Sequence, residues 1–174
     1  MTKLLTAFLS LIALTVAVPA TANAAPSKGA GGCAGADSST GSAAAQVGAM
    51  SCLVNAARRG AGLPALRSHR TLGRAARLKG ARIEACGTFS HTPCGAPFTA
   101  AFRAAGWHGT MGENIAFGQA SQGTPRAILN AWLQSPGHRA NLMRRGFRVQ
   151  GLAVRSASLP GIGSVRLWVH TFGA

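Results

Sequence analysis

A chain of 174 residues and 17.6 kDa is long enough for one domain with its own core and short for two. Lys and Arg number 18 against 3 Asp and Glu, a formal charge of +15, yet 47% of residues are apolar and only 12% charged, which excludes a disordered basic tail. The acids are Asp37, Glu84 and Glu113, so chemistry that needs two adjacent carboxylates, ordinary glycoside hydrolysis included, is disfavoured.

Residues 1–24 read as a cleaved signal peptide. Lys3 is the positive start, Leu4 to Val18 the apolar run, and Ala22-Asn23-Ala24 the small-residue cleavage site. Only Lys3 of the charged residues lies there, so the basic excess belongs to the exported part. The run is short for a membrane span and Pro19 follows it, so the expectation is a secreted, extracellular product with no transmembrane anchor after cleavage. Export makes the four cysteines readable as bridges. Cys86 and Cys94 bracket a short Gly- and Pro-rich loop and pair locally, which leaves Cys33 with Cys52. The second bridge ties the low-complexity segment 25–43 to a domain over 44–174. The cysteines lack the close pairs of structural zinc modules.

Along the domain, Val47, Met50, Val54 and Ala57 form one stripe of a helix from Ser42 to Arg59, ended by Gly60 and Gly62. Leu72, Ala75, Ala76 and Ile83 mark a second helix, with Arg70, Arg74 and Arg77 as a basic ridge on another face. Pro97 opens a third, on which Phe98 and Phe102 face one way. Thr124-Pro125 starts a fourth, carrying Ile128, Leu129, Trp132 and Leu133, and Ser135-Pro136-Gly137 stops it. The period then changes to two. Phe147 to Ala153 and Val165 to Phe172 read as strands of an antiparallel hairpin turned at Leu159 to Gly163, and Asn114 to Phe117 as a third short strand. Helices first and paired strands late define an α+β domain.

Three segments stand out: FSHTPCG at 89–95, GENIAFG at 112–118 and SPGHRANLM at 135–143. With WVHTFG near the end, CLVNAARRGAGLPAL at 52–66 and the LxxAA pattern from Leu72, they make six segments in one order. This chain resembles the CAP superfamily, the secreted domain of cysteine-rich secretory proteins, insect antigen 5 and plant pathogenesis-related proteins, in its short bacterial form. The resemblance covers Cys52 to Gly173. It implies an α-β-α sandwich with a central antiparallel sheet of three or four strands, and a cleft gathering two histidines and two acids. The matching positions are His91, Glu113 and His138. The second acid is missing, because Trp132-Leu133-Gln134-Ser135 carries a neutral Gln134 there.

The same residues form a chemical set without the family. Two imidazoles and a carboxylate suit Zn²⁺ or another divalent metal, so His91, His138 and Glu113 are candidate metal ligands, with Asn114 beside them in a ligand cleft. No HExxH motif makes peptidase chemistry specific. If the chain were a zinc-dependent hydrolase, Glu113 would be its general base. Ser90 and Ser135 stand beside histidines but outside any nucleophile elbow. Structural readings weigh against each assignment: Glu113 as a buried carboxylate held by backbone amides or Arg139, His138 as a helix-start residue, Asn114 as a hydrogen-bonder, or an interaction module with a vestigial cleft. His170 shares a face with Trp168 and Phe172 and reads as core. His69 and His108 read as surface residues. Among the basic residues 15 are Arg in an Ala- and Gly-rich chain, which coding bias alone can produce, but the field still draws anionic partners. An anionic envelope component, lipid or wall polymer, is the expected partner; no nucleic-acid motif is present, and a monomer is expected.

Overall fold

The computed structural model describes residues 32–174; the expected leader and the first part of the 25–43 segment lie outside the described residues. Ser42 accepts a hydrogen bond from the Ala45 amide and so starts helix α1 (Ala43–Gly60), which buries Met50, Leu53 and Val54. A two-residue strand β1 (Arg67–Ser68) leads into helix α2 (Arg70–Ala85), and the short helix α3 (Ala100–Ala105) follows. Strand β2 (Gly112–Gly118) comes next, then helices α4 (Pro125–Gln134) and α5 (Pro136–Met143), and the hairpin of β3 (Val149–Leu159) and β4 (Gly163–Gly173).

The sheet order is β1-β3-β4-β2. Three strands are antiparallel, as expected, while β1 pairs in parallel with β3 through Arg67↔Val149 and Ser68↔Gln150. Two exposed residues carry no alternation, so β1 had no signature in the sequence. Two further elements and one residue differ from expectation. Helix α3 begins at Ala100 instead of Pro97, because Pro97 to Ala100 forms a turn first, although the Phe98 and Phe102 rings do meet at 5.5 Å. Ser135-Pro136-Gly137 ends α4 and also starts α5: Ser135 closes one helix and caps the next, and Pro136 occupies the first helical position. His69 is half-buried, edge-on to Trp107 at 5.1 Å, so it is not a plain surface residue, whereas His108 is exposed.

Alternation along the strands sorts the core into two layers. Leu152, Val154, Trp168 and Phe172 face α1, α4 and α5 and meet Met50, Leu53, Ile128, Leu129 and Trp132. Leu159, Val165, Leu167 and Val169 face the other way, against Ala76 and Ile83 of α2. A Cβ at Gly151 would run into the backbone of Leu72 and Gly73, so glycine on β3 lets the first turn of α2 lie directly on the sheet. The result is a helix–sheet–helix α+β sandwich.

Disulfides join Cys33 to Cys52 and Cys86 to Cys94, with Cα atoms 5.8 and 5.6 Å apart. Beyond its bridge, the segment before α1 is held by polar contacts. The buried Gln46 amide donates to the Ser39 and Thr40 carbonyls, Arg126 clasps Asp37, and the Arg126 amide donates to the Ala36 carbonyl.

Candidate functional site

Strand β2 lies at one edge of the sheet, and its consecutive residues Glu113 and Asn114 must point to opposite faces. Glu113 points to the α2 side. Its side chain is fully buried, and its Oε1 accepts from Lys79 Nζ at 3.3 Å and from His91 Nδ1 at 2.8 Å. Asn114 points to the α5 side, where its Nδ2 donates to the His138 carbonyl at 3.0 Å and its Oδ1 accepts from Asn141 at 2.9 Å. Asn141 also donates to the Glu113 carbonyl at 3.1 Å. The two histidine-bearing segments are thus fastened to β2 from its two flanks. Gly112, just before Glu113, has no room for a side chain: a Cβ would stand 2.5 Å from the Phe147 ring.

Lys79 is the residue that sequence reasoning missed and the structure makes central. It is buried on α2, and its ammonium donates to the His91 carbonyl at 2.5 Å, to the Phe98 carbonyl at 3.5 Å and to Glu113. All three N–H groups of a lysine are thereby used. The same ammonium holds the loop that carries His91 and the carboxylate that binds its ring. Its partner is thus not Arg139, the cation named from the sequence. A signal was available: Leu72, Ala76, Lys79 and Ile83 follow the spacing of one helix face, so a cation on that face had to find a buried anion. Asn141 was inside a quoted motif but carried no distinguishing chemistry of its own.

A carboxylate only accepts hydrogen bonds, so the contact with Glu113 requires the proton of neutral His91 to sit on Nδ1. Nε2 is then an unprotonated lone pair on a ring whose side chain is 46% exposed. The Cys86–Cys94 bridge closes the loop that carries His91, and Cys94 holds a left-handed backbone at φ 53°. His138 sits in the first turn of α5 with Nδ1 2.9 Å from Ser135 Oγ. Burial, and secondarily the neighbouring charge of His91, push its pKa below the ordinary histidine value. No hydrogen bond or ion pair joins His138 to Glu113 among the described residues.

For a metal, the chemistry of the donor set is mixed. Glu113 Oε2 is buried without a partner, as a waiting ligand would be, but Lys79 already answers that carboxylate's charge and Glu113 stands at the Nδ1 side of His91, away from its free lone pair. Among the described residues no group of three His, Cys, Asp or Glu is arranged to hold a metal ion. The three residues His91, Glu113 and His138 therefore do not form one metal-ligand set in the described structure.

His170 belongs to the core. It is fully buried on β4, with its ring centroid 3.8 Å from that of Phe172 and 5.8 Å from that of Trp132. The Gln150 amide donates to Ser51 Oγ, so Gln150 Oε1 accepts from His170 Nε2–H at 2.9 Å, while the buried Nδ1 has no partner, as suits a neutral ring. Burial, with Arg58 as a lesser cause, lowers its pKa to about 3.

Residues 53–159 match the model of the CAP, cysteine-rich secretory protein, family, and the chain belongs to that family. It is 36% identical over 110 residues to the uncharacterized protein YkwD of Bacillus subtilis, a match covering 62% of this chain and 42% of that one. The chain thus spans less than half the length of that curated relative. Among solved structures it resembles an extracellular SCP-domain protein of Bacillus anthracis, with TM-score 0.62, 22% identity, and 75% of this chain and 41% of that one covered. It also resembles an outer surface protein of Borrelia burgdorferi, with TM-score 0.59, 20% identity, and 71% and 88% covered. At these identities the structural likeness speaks for the fold.

Proposed function

We propose that this chain is a secreted CAP-domain binding protein acting at the cell envelope or outside the cell, and that His91 and His138, on the two flanks of β2, hold a small polar ligand. The observation that carries this reading is the locked His91: Glu113 takes Nδ1 and leaves Nε2 as a directed lone pair on a half-exposed ring. A lone pair fixed in direction accepts a hydrogen bond from a ligand donor without ordering cost at the moment of binding. The neutral character favoured for His138 supports a second reading, a divalent metal such as Zn²⁺ taken by the two imidazoles, with Glu113 behind His91 as the carboxylate that orients a ligating ring. Nothing favours a zinc-hydrolase role for Glu113, whose Oε1 is occupied by Lys79 and His91.

Placement outside the cell is supported by the sequence of residues 1–24, by the two disulfides, and by the descriptions of the B. anthracis and B. burgdorferi proteins as extracellular and outer surface. No helix among the described residues is long and apolar enough to cross a membrane. The charge of +15 supports an anionic envelope component as partner.

Native mass spectrometry with elemental analysis of protein recovered from culture medium, beside its His91→Ala variant, tests the site. The expected result is a bound small molecule or metal in the wild type whose occupancy falls at least tenfold in the variant. Equal occupancy, or bare protein in both, contradicts it. Calorimetric Zn²⁺ titration of wild type and His138→Ala separates the two readings, and identical isotherms eliminate the metal.

A further inference from the structure

The three arginines of the basic ridge have no anion of their own. At about 100° per residue, Arg70, Arg74 and Arg77 fall within one narrow sector of α2, opposite Lys79, and all three are exposed. The whole chain contains three acids, and each is engaged elsewhere: Asp37 by Arg126, Glu84 by Arg155, and Glu113 by Lys79 and His91. No side-chain hydrogen bond or ion pair is formed by Arg70, Arg74 or Arg77 among the described residues. No carboxylate side chain is therefore left over to neutralise them.

These arginines also line a hollow. A groove of about 480 Å³ is walled by Arg70, Thr71, Gly73, Arg74 and Arg77, with Ala105 of α3 on its far side. A Cβ at Gly73 would stand 3.6 Å from Arg77 Nη1, so the exposed Arg77 guanidinium lies back along the helix toward Gly73 and borders the groove. A second hollow of about 210 Å³, with Ser68, His69 and Gln150 in its wall, shares Arg70 and Gly73 with the first. The volume of the first groove suits a discrete ligand, and its three arginines and a threonine make a cationic, polar lining where sites for apolar ligands are greasy.

We propose that this groove is a binding site for a soluble ligand carrying two or more linked phosphate groups, held by Arg70, Arg74 and Arg77. Guanidinium groups match phosphate oxygens two at a time, and seven residues of helix spread the three groups over about 10 Å, longer than one phosphate and suited to a chain of them. A membrane surface is the poorer occupant, since Ile162, the one large exposed apolar side chain among the described residues, lies at the β3–β4 turn and not on α2. The site is separate from His91 and His138. It rests on the reading that the basic surface meets anionic partners, and narrows that reading to one place.

Calorimetric titration with tripolyphosphate, with inorganic phosphate and with phosphatidylglycerol vesicles tests it, on wild type and two charge-matched triple variants. R70Q/R74Q/R77Q removes the groove, while R59Q/R82Q/R145Q removes three exposed arginines elsewhere. Wild type is expected to bind tripolyphosphate more tightly than phosphate, with at least a tenfold loss in the groove variant and less than a threefold change in the control. Equal losses in both variants overturn the site and leave only a general attraction for anions. Absence of tripolyphosphate binding overturns it outright, and vesicle binding without tripolyphosphate binding assigns the surface to lipid instead. Should the groove variant fold poorly, the charge reversal R74E is expected to weaken tripolyphosphate at least fivefold, and an unchanged affinity counts against the proposal.

Discussion

Lys79 and Glu113 are a buried ion pair with little water in reach, and the consequences of cutting it are asymmetric. Removing one partner strands the other as an uncompensated charge, which typically costs about 3–5 kcal/mol, whereas removing both can be far milder. Lys79→Met is therefore expected to destabilise the domain by roughly that amount, and Lys79→Met/Glu113→Gln by clearly less than the sum of the single changes, in a denaturation double-mutant cycle. Additive losses would show that the two side chains are not coupled. His170 gives a prediction of opposite kind. Its folded pKa of about 3 lies below the unfolded value, so the unfolded chain binds the extra proton first. Stability is then full above about pH 6.5 and declines as pH falls toward 3, with a slope approaching about 1.4 kcal/mol per pH unit from this group. His138 shifts in the same direction and adds to the upper part of the decline. His170→Gln should flatten the curve across that window, and an unchanged slope would mean that His170 is not neutral in the core.

Elements were more legible than residues, and the reason is periodicity. α1, α2, α4 and the β3–β4 hairpin each bury a repeating stripe, so their positions follow from the spacing of apolar side chains. β1 and α5 repeat too little to show a stripe, and the turn before α3 shows that Pro97 licenses a start without enforcing one. The cap at Thr124-Pro125 was readable, whereas Ser135-Pro136 starts α5 with no side-chain cap bond and read only as a stop. Thr124 Oγ1 accepts from the Ala127 amide and donates to the Ser121 carbonyl, setting the entry of α4 so that the Trp132 indole reaches the Ile115 carbonyl of β2. Thr124→Ala is expected to cost about 1 kcal/mol in thermal or denaturant unfolding. No measurable loss would remove the cap from the account of how α4 is placed against the site strand. The candidate site itself was half legible. The motifs named His91, Glu113, Asn114 and His138, but alternation on an edge strand decided that Glu113 and Asn114 serve opposite flanks, and the fold shows Lys79 joined to Glu113 and the His91 loop on one of them.

For the molecule as a whole, composition sets the terms. With three acids in 174 residues, every carboxylate side chain is committed to an ion pair, and a cation beyond these must turn to solvent or to neutral oxygens, as Arg166 does with the Ser156 hydroxyl and the Gln46 amide oxygen. Buried Arg58 shows the second solution: it donates to the Pro64, Leu142 and Arg144 carbonyls, joining α1 to the end of α5 without any anion. A protein built this way keeps its positive field outward, and one face of it, the groove on α2, concentrates that field away from the histidines. The account of the histidine site depends on one orientation, His91 protonated at Nδ1 against Glu113 with Nε2 free. Long-range ¹H–¹⁵N correlation spectra of the histidine rings at alkaline pH read that directly. The Nδ1–H tautomer of His91 is the predicted result; a dominant Nε2–H tautomer would contradict the locked ring and with it the proposed ligand contact.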